Sequence, residues 1–386
     1  FEEGKRFFAL EAGTGVGKSA IAITVARALA SKNSVEGYEK GGLFVTTQKL
    51  LQDQYEKDFS AIQMKSIKSS TNYSCKHKNT STCAEGLAML KAEPQGTKFW
   101  NSCTYNCTYR KAKQSFMDSE LSVTNFPYIL TECNYSKKIQ PRQLLVIDEA
   151  HNIETELSKF IEISINEKFT KKTLKLNFPP HITHKKVVEW VQKVYYPRLV
   201  SHVKHVEKTL AQHGMSKEKL YQFVSLQRQV QMLTSHHHRI KDFLRFHTEE
   251  NWVFDLSESE NGSRKLVFKP IDVSQFSHQY LFKMGYYVLC MSATLIQVDN
   301  FVDIAGLEKE KTNSLVIPSP FPTSNRPILF VPMGKMTAKE IDRSLPILAN
   351  AVRKILKEHQ GEKGIIHTHS YKISRYLQNN IKSSRL

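Results

Sequence analysis

Two short stretches of this 386-residue sequence carry residue types suited to phosphoryl chemistry. Residues 11–19 read Glu-Ala-Gly-Thr-Gly-Val-Gly-Lys-Ser. Glycine lets a backbone turn its N–H groups onto phosphate oxygens, and the start of a following helix adds partial positive charge. Gly13, Thr14, Gly15 and Gly17 therefore predict a phosphate cradle, Lys18 a contact to β- and γ-phosphates, and Ser19 a ligand of Mg²⁺. The bland alternative is a glycine-rich turn before a helix. Residues 148–151 read Asp-Glu-Ala-His. Asp148 is a second candidate for holding Mg²⁺, Glu149 for polarising an attacking water, and His151 for linking the nucleotide to a nucleic-acid side. Alone, an acidic strand end is often a solvated cap. Paired with the glycine loop, it points to a nucleoside triphosphatase that uses ATP and Mg²⁺.

A third constellation is Cys75, Cys83, Cys103 and Cys107, spaced Cys-x7-Cys-x19-Cys-x3-Cys, a complete ligand set for one metal centre. A [4Fe–4S] cluster, structural zinc and disulfides all compete for it. Zinc favours paired Cys-x2-4-Cys knuckles, and only Cys103 with Cys107 fits that spacing. Cys133 and Cys290 read as buried small apolar residues. Residues 64–117 hold nine Lys or Arg against two Asp or Glu, interleaved with Tyr73, Phe99, Trp100, Tyr105 and Tyr109. Such a mixture suits gripping a nucleic-acid backbone and stacking on its bases.

These residues need elements to position them. Residues 7–10 form an apolar run before the glycine loop, and residues 20–30 are helix formers after it. The apolar residues 144–147 predict a buried strand delivering Asp148 and Glu149 at its carboxyl end, where open α/β sheets bind ligands. Residues 42–45 and 286–290 read as further strands. Lys18 and Asp148 stand 130 positions apart, so the cysteine segment is an insertion. Between residues 152 and 280 the pattern turns helical, as in Val187, Val188, Val191, Val194 and Tyr195. His236, His237 and His238 cannot converge on one ion from one helix, because successive residues point about 100° apart. A solvated or nucleic-acid-facing surface is expected for them. Residues 252–256 and 265–270 read as two strands returning to the first domain. A proline-rich linker over 317–322 follows, then strands of a second α/β domain at 328–331 and 364–370.

The charge narrows the partner. There are 55 Lys and Arg against 37 Asp and Glu, a formal +18, which favours a polyanion such as nucleic acid over a small neutral substrate. No apolar run approaches the roughly 18 to 20 residues of a membrane span. Six cysteines without a secretion signal suggest a reducing, cytoplasmic setting. The chain begins at Phe1, and a fragment of a longer protein is expected.

The glycine loop at residues 12–19, with alanine in its first position, and Asp-Glu-Ala-His at 148–151 resemble superfamily 2 helicases. Residues 46–54 resemble their motif Ia and residues 291–295 their motif III. The pattern is most similar to the DinG and XPD iron–sulfur helicases, over nearly the whole chain. Residues 73–75 and 107–110 look like the first and last cluster cysteines of that family, and residues 123–130 like the segment that follows. The resemblance implies an α/β fold: a RecA-like P-loop motor domain with an iron–sulfur insert and a helical arch insert, then a truncated second RecA-like domain. On this reading residues 1–63, 118–165 and 250–298 form the first motor domain, 64–117 the cluster insert, 166–249 the arch, and 299–386 part of the second motor domain.

It further implies a monomeric, ATP-dependent helicase acting on single-stranded and forked DNA. Thr46, Thr47 and Gln48 contact the strand, movement runs 5′ to 3′, and a [4Fe–4S] cluster rests on Cys75, Cys83, Cys103 and Cys107. The family's arginines that reach the γ-phosphate across the motor cleft have no counterpart here, so weak hydrolysis by these 386 residues alone is expected. A translocase that removes proteins or R-loops, and a nucleic-acid-binding module on an inactive ATPase fold, are the alternatives.

Overall fold

The structure, a computed structural model, describes residues 1, 3–32, 34–75, 82–90, 93–179, 182–212, 220–258, 262–295 and 297–383. They fall into two compact units, Phe1–Pro320 and Phe321–Leu386.

The first unit is built on seven strands: β1 (Phe7–Ala12), β2 (Glu39–Thr46), β3 (Lys65–Ser66), β4 (Leu121–Asn125), β5 (Arg142–Asp148), β9 (Gly285–Ser292) and β10 (Thr312–Ile317). They pair in the order β10-β1-β9-β5-β2-β4-β3, every pairing parallel. A parallel sheet needs cover on both faces. Accordingly Leu145 and Ile147 join one buried cluster while Leu144 and Val146 join the other, each packed beneath helices. The helix Lys18–Ala30 buries Ala22, Ile23 and Ala26 on the second face. Register aligns the strand ends: Glu11 stands opposite Ser292, Asp148 opposite Met291, and Thr46 opposite Asn125. Every motif singled out in the sequence for nucleotide chemistry therefore lies along one carboxyl edge, in a mixed α/β unit whose parallel sheet resembles a RecA-like motor domain.

A second, antiparallel sheet has the order β6-β8-β7, from β6 (Ile163–Asn166), β7 (Trp252–Glu258) and β8 (Arg264–Pro270). Residues 252–270 lie within the first unit but outside its seven-stranded sheet. They pair with the strand that precedes the helical segment and close off its base. That segment contains helices His184–Trp190, Tyr196–Gln212 and Leu220–Phe246, the last two packed together. A π-helical turn at Val191–Tyr195 shifts the stripe, burying Val191 and Tyr195 while Val194 stays 39% exposed. Arg228 on the longest helix pairs with Glu85 of the cysteine insert.

The boundary between units also departs from expectation. Residues 299–320 belong with the first unit, because β10 pairs with β1 across six positions. The division falls inside the proline-rich stretch instead. In the second unit, helices Ile341–Glu358 and Tyr371–Asn380 pack through Leu345, Ala349, Val352, Ile373 and Leu377. The strands expected at 328–331 and 364–370 are absent among the described residues. Ile328, Leu329 and Phe330 are extensively exposed. An extended apolar segment becomes a strand only by bonding to a neighbour, and neither segment has one.

Candidate functional site

The phosphate loop is set by backbone geometry first. Gly15 and Gly17 adopt φ of 87° and 88°, left-handed values that a side chain would strain, and Gly17 caps the helix beginning at Lys18. The Lys18 ammonium folds back on its own loop, donating to the carbonyl of Ala12 at 2.9 Å. A cation held on neutral carbonyls is poised to exchange them for phosphate oxygens.

Opposite it, β5 ends on Asp148, only 6% exposed. Burial is the first cause raising its carboxyl above the ordinary value. One carboxylate oxygen accepts the Glu149 N–H at 3.0 Å, and the other accepts the phenol of Tyr55 at 3.0 Å. Tyr55 is itself buried, and the Ser19 hydroxyl lies beside the same phenol. Glu149 sits at φ 54°, an uncommon conformation for a glutamate that turns the chain sharply off the strand. His151 is placed between the carboxylates and the segment after β9. Its Nδ1 stands 2.8 Å from the Ser292 hydroxyl and 3.4 Å from Glu149 Oε2, and Asn152 donates to its Nε2 at 2.9 Å. Ser292 in turn donates to the Thr294 carbonyl at 3.1 Å, so His151 fits as the Nδ1–H tautomer. Glu11, next to the glycine loop, accepts the Leu295 N–H at 2.7 Å. Lys18, Ser19, Asp148, Glu149 and His151 are thus brought together. Glu11 of the glycine-loop stretch and Ser292 of residues 291–295 complete the arrangement with Tyr55, which was not singled out, since nothing local in the sequence marks a tyrosine 93 positions from its aspartate.

The three expected strand contacts separate. Thr46 is fully buried and its hydroxyl donates to the Gln48 carbonyl at 3.2 Å, so its side chain offers no ligand surface. The carboxyl half of β2 is buried on both faces, which encloses Thr46 along with its neighbours. Thr47 is half-buried on a groove it shares with Lys49, Asn72, Asn125 and Tyr128, and Gln48 is exposed at the start of helix Lys49–Asp58. Gln52 of that helix is buried, donating to Ser66 Oγ at 2.8 Å and the Ile67 carbonyl at 2.6 Å while accepting from Asn125 at 3.1 Å.

All four insert cysteines are free, buried and line one small cavity with Gly86, Ser102, Asn106 and Thr108. Cys83 and Cys107 sulfurs stand 3.2 Å apart. A Cβ on Gly86 would come within 3.0 Å of the Cys75 sulfur, so the cavity depends on a bare backbone there. Burial pushes the Cys83 and Cys103 thiols up to about 11, which favours the protonated form unless a cation is present. Among the described residues no three His, Cys, Asp or Glu meet the geometry of a single-ion site. Four buried, unbridged thiols around one cavity nonetheless fit an iron–sulfur cluster by donor type and number. Cys133 and Cys290 are buried away from this cavity.

Next to the cysteine lobe runs a wide groove lined by Trp100, Tyr109, Arg110, Lys111, Lys113, Lys137 and Lys138. Tyr105, edge-on to Trp100, is 65% exposed. The histidine triplet is only partly buried, and each ring meets a tyrosine. His236 bonds the Tyr195 phenol at 2.9 Å, His237 stacks on Tyr196, and His238 stacks on Tyr135. Among the described residues no helix is long and apolar enough to cross a membrane.

Among solved structures the chain is similar to one titled "XPD_Helicase", at 16% identity over 98% of this chain and 72% of that one, with a TM-score of 0.49. "Truncated XPD" matches at 17% identity over 81% and 95%, with a TM-score of 0.42. "XPD_APO" matches at 16% over 99% and 70%, with a TM-score of 0.45. No match is found among curated proteins. Residues 1–179, which hold the phosphate loop, the cysteine lobe and the carboxylates of β5, match the family described as "Type III restriction enzyme, res subunit".

Proposed function

We propose that this chain carries the ATP-hydrolysing motor of a DNA helicase of the DinG/XPD type, moving 5′ to 3′ on single-stranded DNA at a fork. The observation that carries the reading is the single carboxyl edge on which Lys18, Ser19, Asp148 and Glu149 face one another, with His151 bonded across to Ser292. Lys18 gives up the carbonyls of its loop to neutralise the β- and γ-phosphates. Ser19 and Asp148 hold Mg²⁺, which when bound offsets charge developing on the phosphates. Glu149 orients and deprotonates the attacking water, and its neighbour His151 carries the change to Ser292 and the Thr294–Leu295 turn. That turn is tied to Glu11, so phosphate loop, acidic pair and third motif shift together.

On the DNA side, Thr47 and Gln48 face the strand while the aromatic and basic groove beside the insert takes the bases and backbone. Cys75, Cys83, Cys103 and Cys107 hold a [4Fe–4S] cluster whose part is structural, fixing a lobe against which strands separate. Two measurements on one preparation test this reading. Lys18→Ala is expected to abolish DNA-stimulated ATP hydrolysis by the full-length protein, and anaerobic purification to yield about four irons per chain with broad visible absorbance. Turnover that survives the lysine change overturns the motor, and zinc or disulfides in place of iron overturn the cluster.

A further inference from the structure

We infer that Tyr55 is a positioning residue that ties the Mg²⁺ side of the nucleotide site to the helix facing the DNA strand. This rests on the motor reading above and deepens it. The helix Lys49–Asp58 touches three places at once. It begins directly after Thr47 and Gln48, its Gln52 grips the end of β4 through Asn125, and its Tyr55 reaches the end of β5. Gln52 and Tyr55 are three residues apart, hence on the same face, so a shift of the helix moves both contacts together.

The phenol is suited to hold rather than to react. Its ring is wedged between Phe44 and Phe59, with centroids at 5.7 and 5.9 Å, and only its oxygen emerges, 3.0 Å from Asp148 Oδ2. Burial keeps it a protonated donor. With Tyr55 on one oxygen and the Glu149 N–H on the other, the Asp148 carboxylate cannot rotate, yet each oxygen keeps a lone pair for the metal side. Partners of this kind orient a metal ligand, and their loss typically weakens metal affinity about 10- to 100-fold. The same helix starts directly after Thr47 and Gln48, so if bound single-stranded DNA and bound Mg–nucleotide favour one helix position, each strengthens the other.

Tyr55→Phe removes only the hydroxyl and keeps the ring in its wedge. Binding of a fluorescent ADP analogue is measured against Mg²⁺ concentration, with and without a short oligothymidylate. The variant is expected to need about 10-fold more Mg²⁺ for half-saturation and to lose the mutual strengthening by oligonucleotide, with its melting temperature little changed. Phe59→Leu, which keeps the hydroxyl but loosens the wedge that aims it, is expected to raise the Mg²⁺ midpoint less than Tyr55→Phe does. An unchanged midpoint and unchanged coupling in Tyr55→Phe, while wild type binds Mg–nucleotide normally, sinks the role of Tyr55 and leaves the motor reading standing. Wild-type protein that binds no Mg–nucleotide overturns both.

Discussion

Arg142 opens β5 and is buried to 2% exposure. Its guanidinium donates to the carbonyls of Phe116 at 3.1 Å, Met117 at 3.0 Å and Glu120 at 3.0 Å, and also to Ser119. Phe116 and Met117 lie in the last turn of the helix Thr108–Asp118, where free acceptors and the negative end of the dipole coincide, and Ser119 and Glu120 follow it. One fork of donors thus fastens the last helix of the cysteine insert to the seven-stranded sheet. Arg142→Met should remove four hydrogen bonds at once, although Ser122 still serves the Phe116 carbonyl and Gly42 the Glu120 carbonyl, and cost about 3 kcal/mol, seen as a lower midpoint in urea unfolding. Arg142→Lys should recover only part of the loss, since an ammonium cannot span the fork. The grouping of Lys18 with Asp148, and of the four cysteines around one cavity, was legible because adjacent residues or close spacing announce it. Tyr55 and Arg142 were not, because each is defined by a partner brought near only by folding, and a lone tyrosine or arginine carries no local mark of it.

At the level of elements, the helical middle was recognisable from its apolar stripes, but which face met which neighbour was not. The histidine triplet shows why. Three consecutive histidines look polar in sequence, yet each ring finds a tyrosine on another element, so they knit the helices together. Burial, with Arg239 and His237 adding to it, holds His236 down at about 4 against an ordinary 6.5. The unfolded chain therefore takes up a proton between these values that the folded helices refuse. The stability this neutral ring contributes is complete above pH 6.5 and is lost as pH falls through the window, by on the order of 3 kcal/mol at the limit. Thermal melts from pH 7 down to 4.5 should show a falling midpoint. In His236→Gln, which keeps an acceptor for Tyr195 but cannot titrate, the fall should be shallower.

For the molecule as a whole, a parallel sheet was readable from order and spacing, whereas the limit of the first unit was not. Strand β10 is an edge strand with Leu315 and Val316 about half exposed, so it lacks the continuous apolar run that betrays an inner strand. Its membership shows only through pairing with β1. Beyond it, residues 321–332 are exposed and mostly irregular. Thermolysin under native conditions should cut first around Ile328–Val331, releasing a fragment that still binds Mg–nucleotide, as gel and binding assays would show. Loss of nucleotide binding on that cut would mean that the site needs residues beyond the first unit.

Strand β5 has a consequence of another kind. Arg142 at its start clasps the cysteine insert and Asp148 at its finish bonds Tyr55, a span of roughly 20 Å at the usual rise of a strand. Between them, alternate side chains feed two different cores. Adding or removing one residue would turn every side chain beyond that point to the opposite face, so the clasp and the carboxylate could not both keep their partners. The stretch from 143 to 147 is in effect a gauge block: over descent it can change its composition among apolar residues, but not its length.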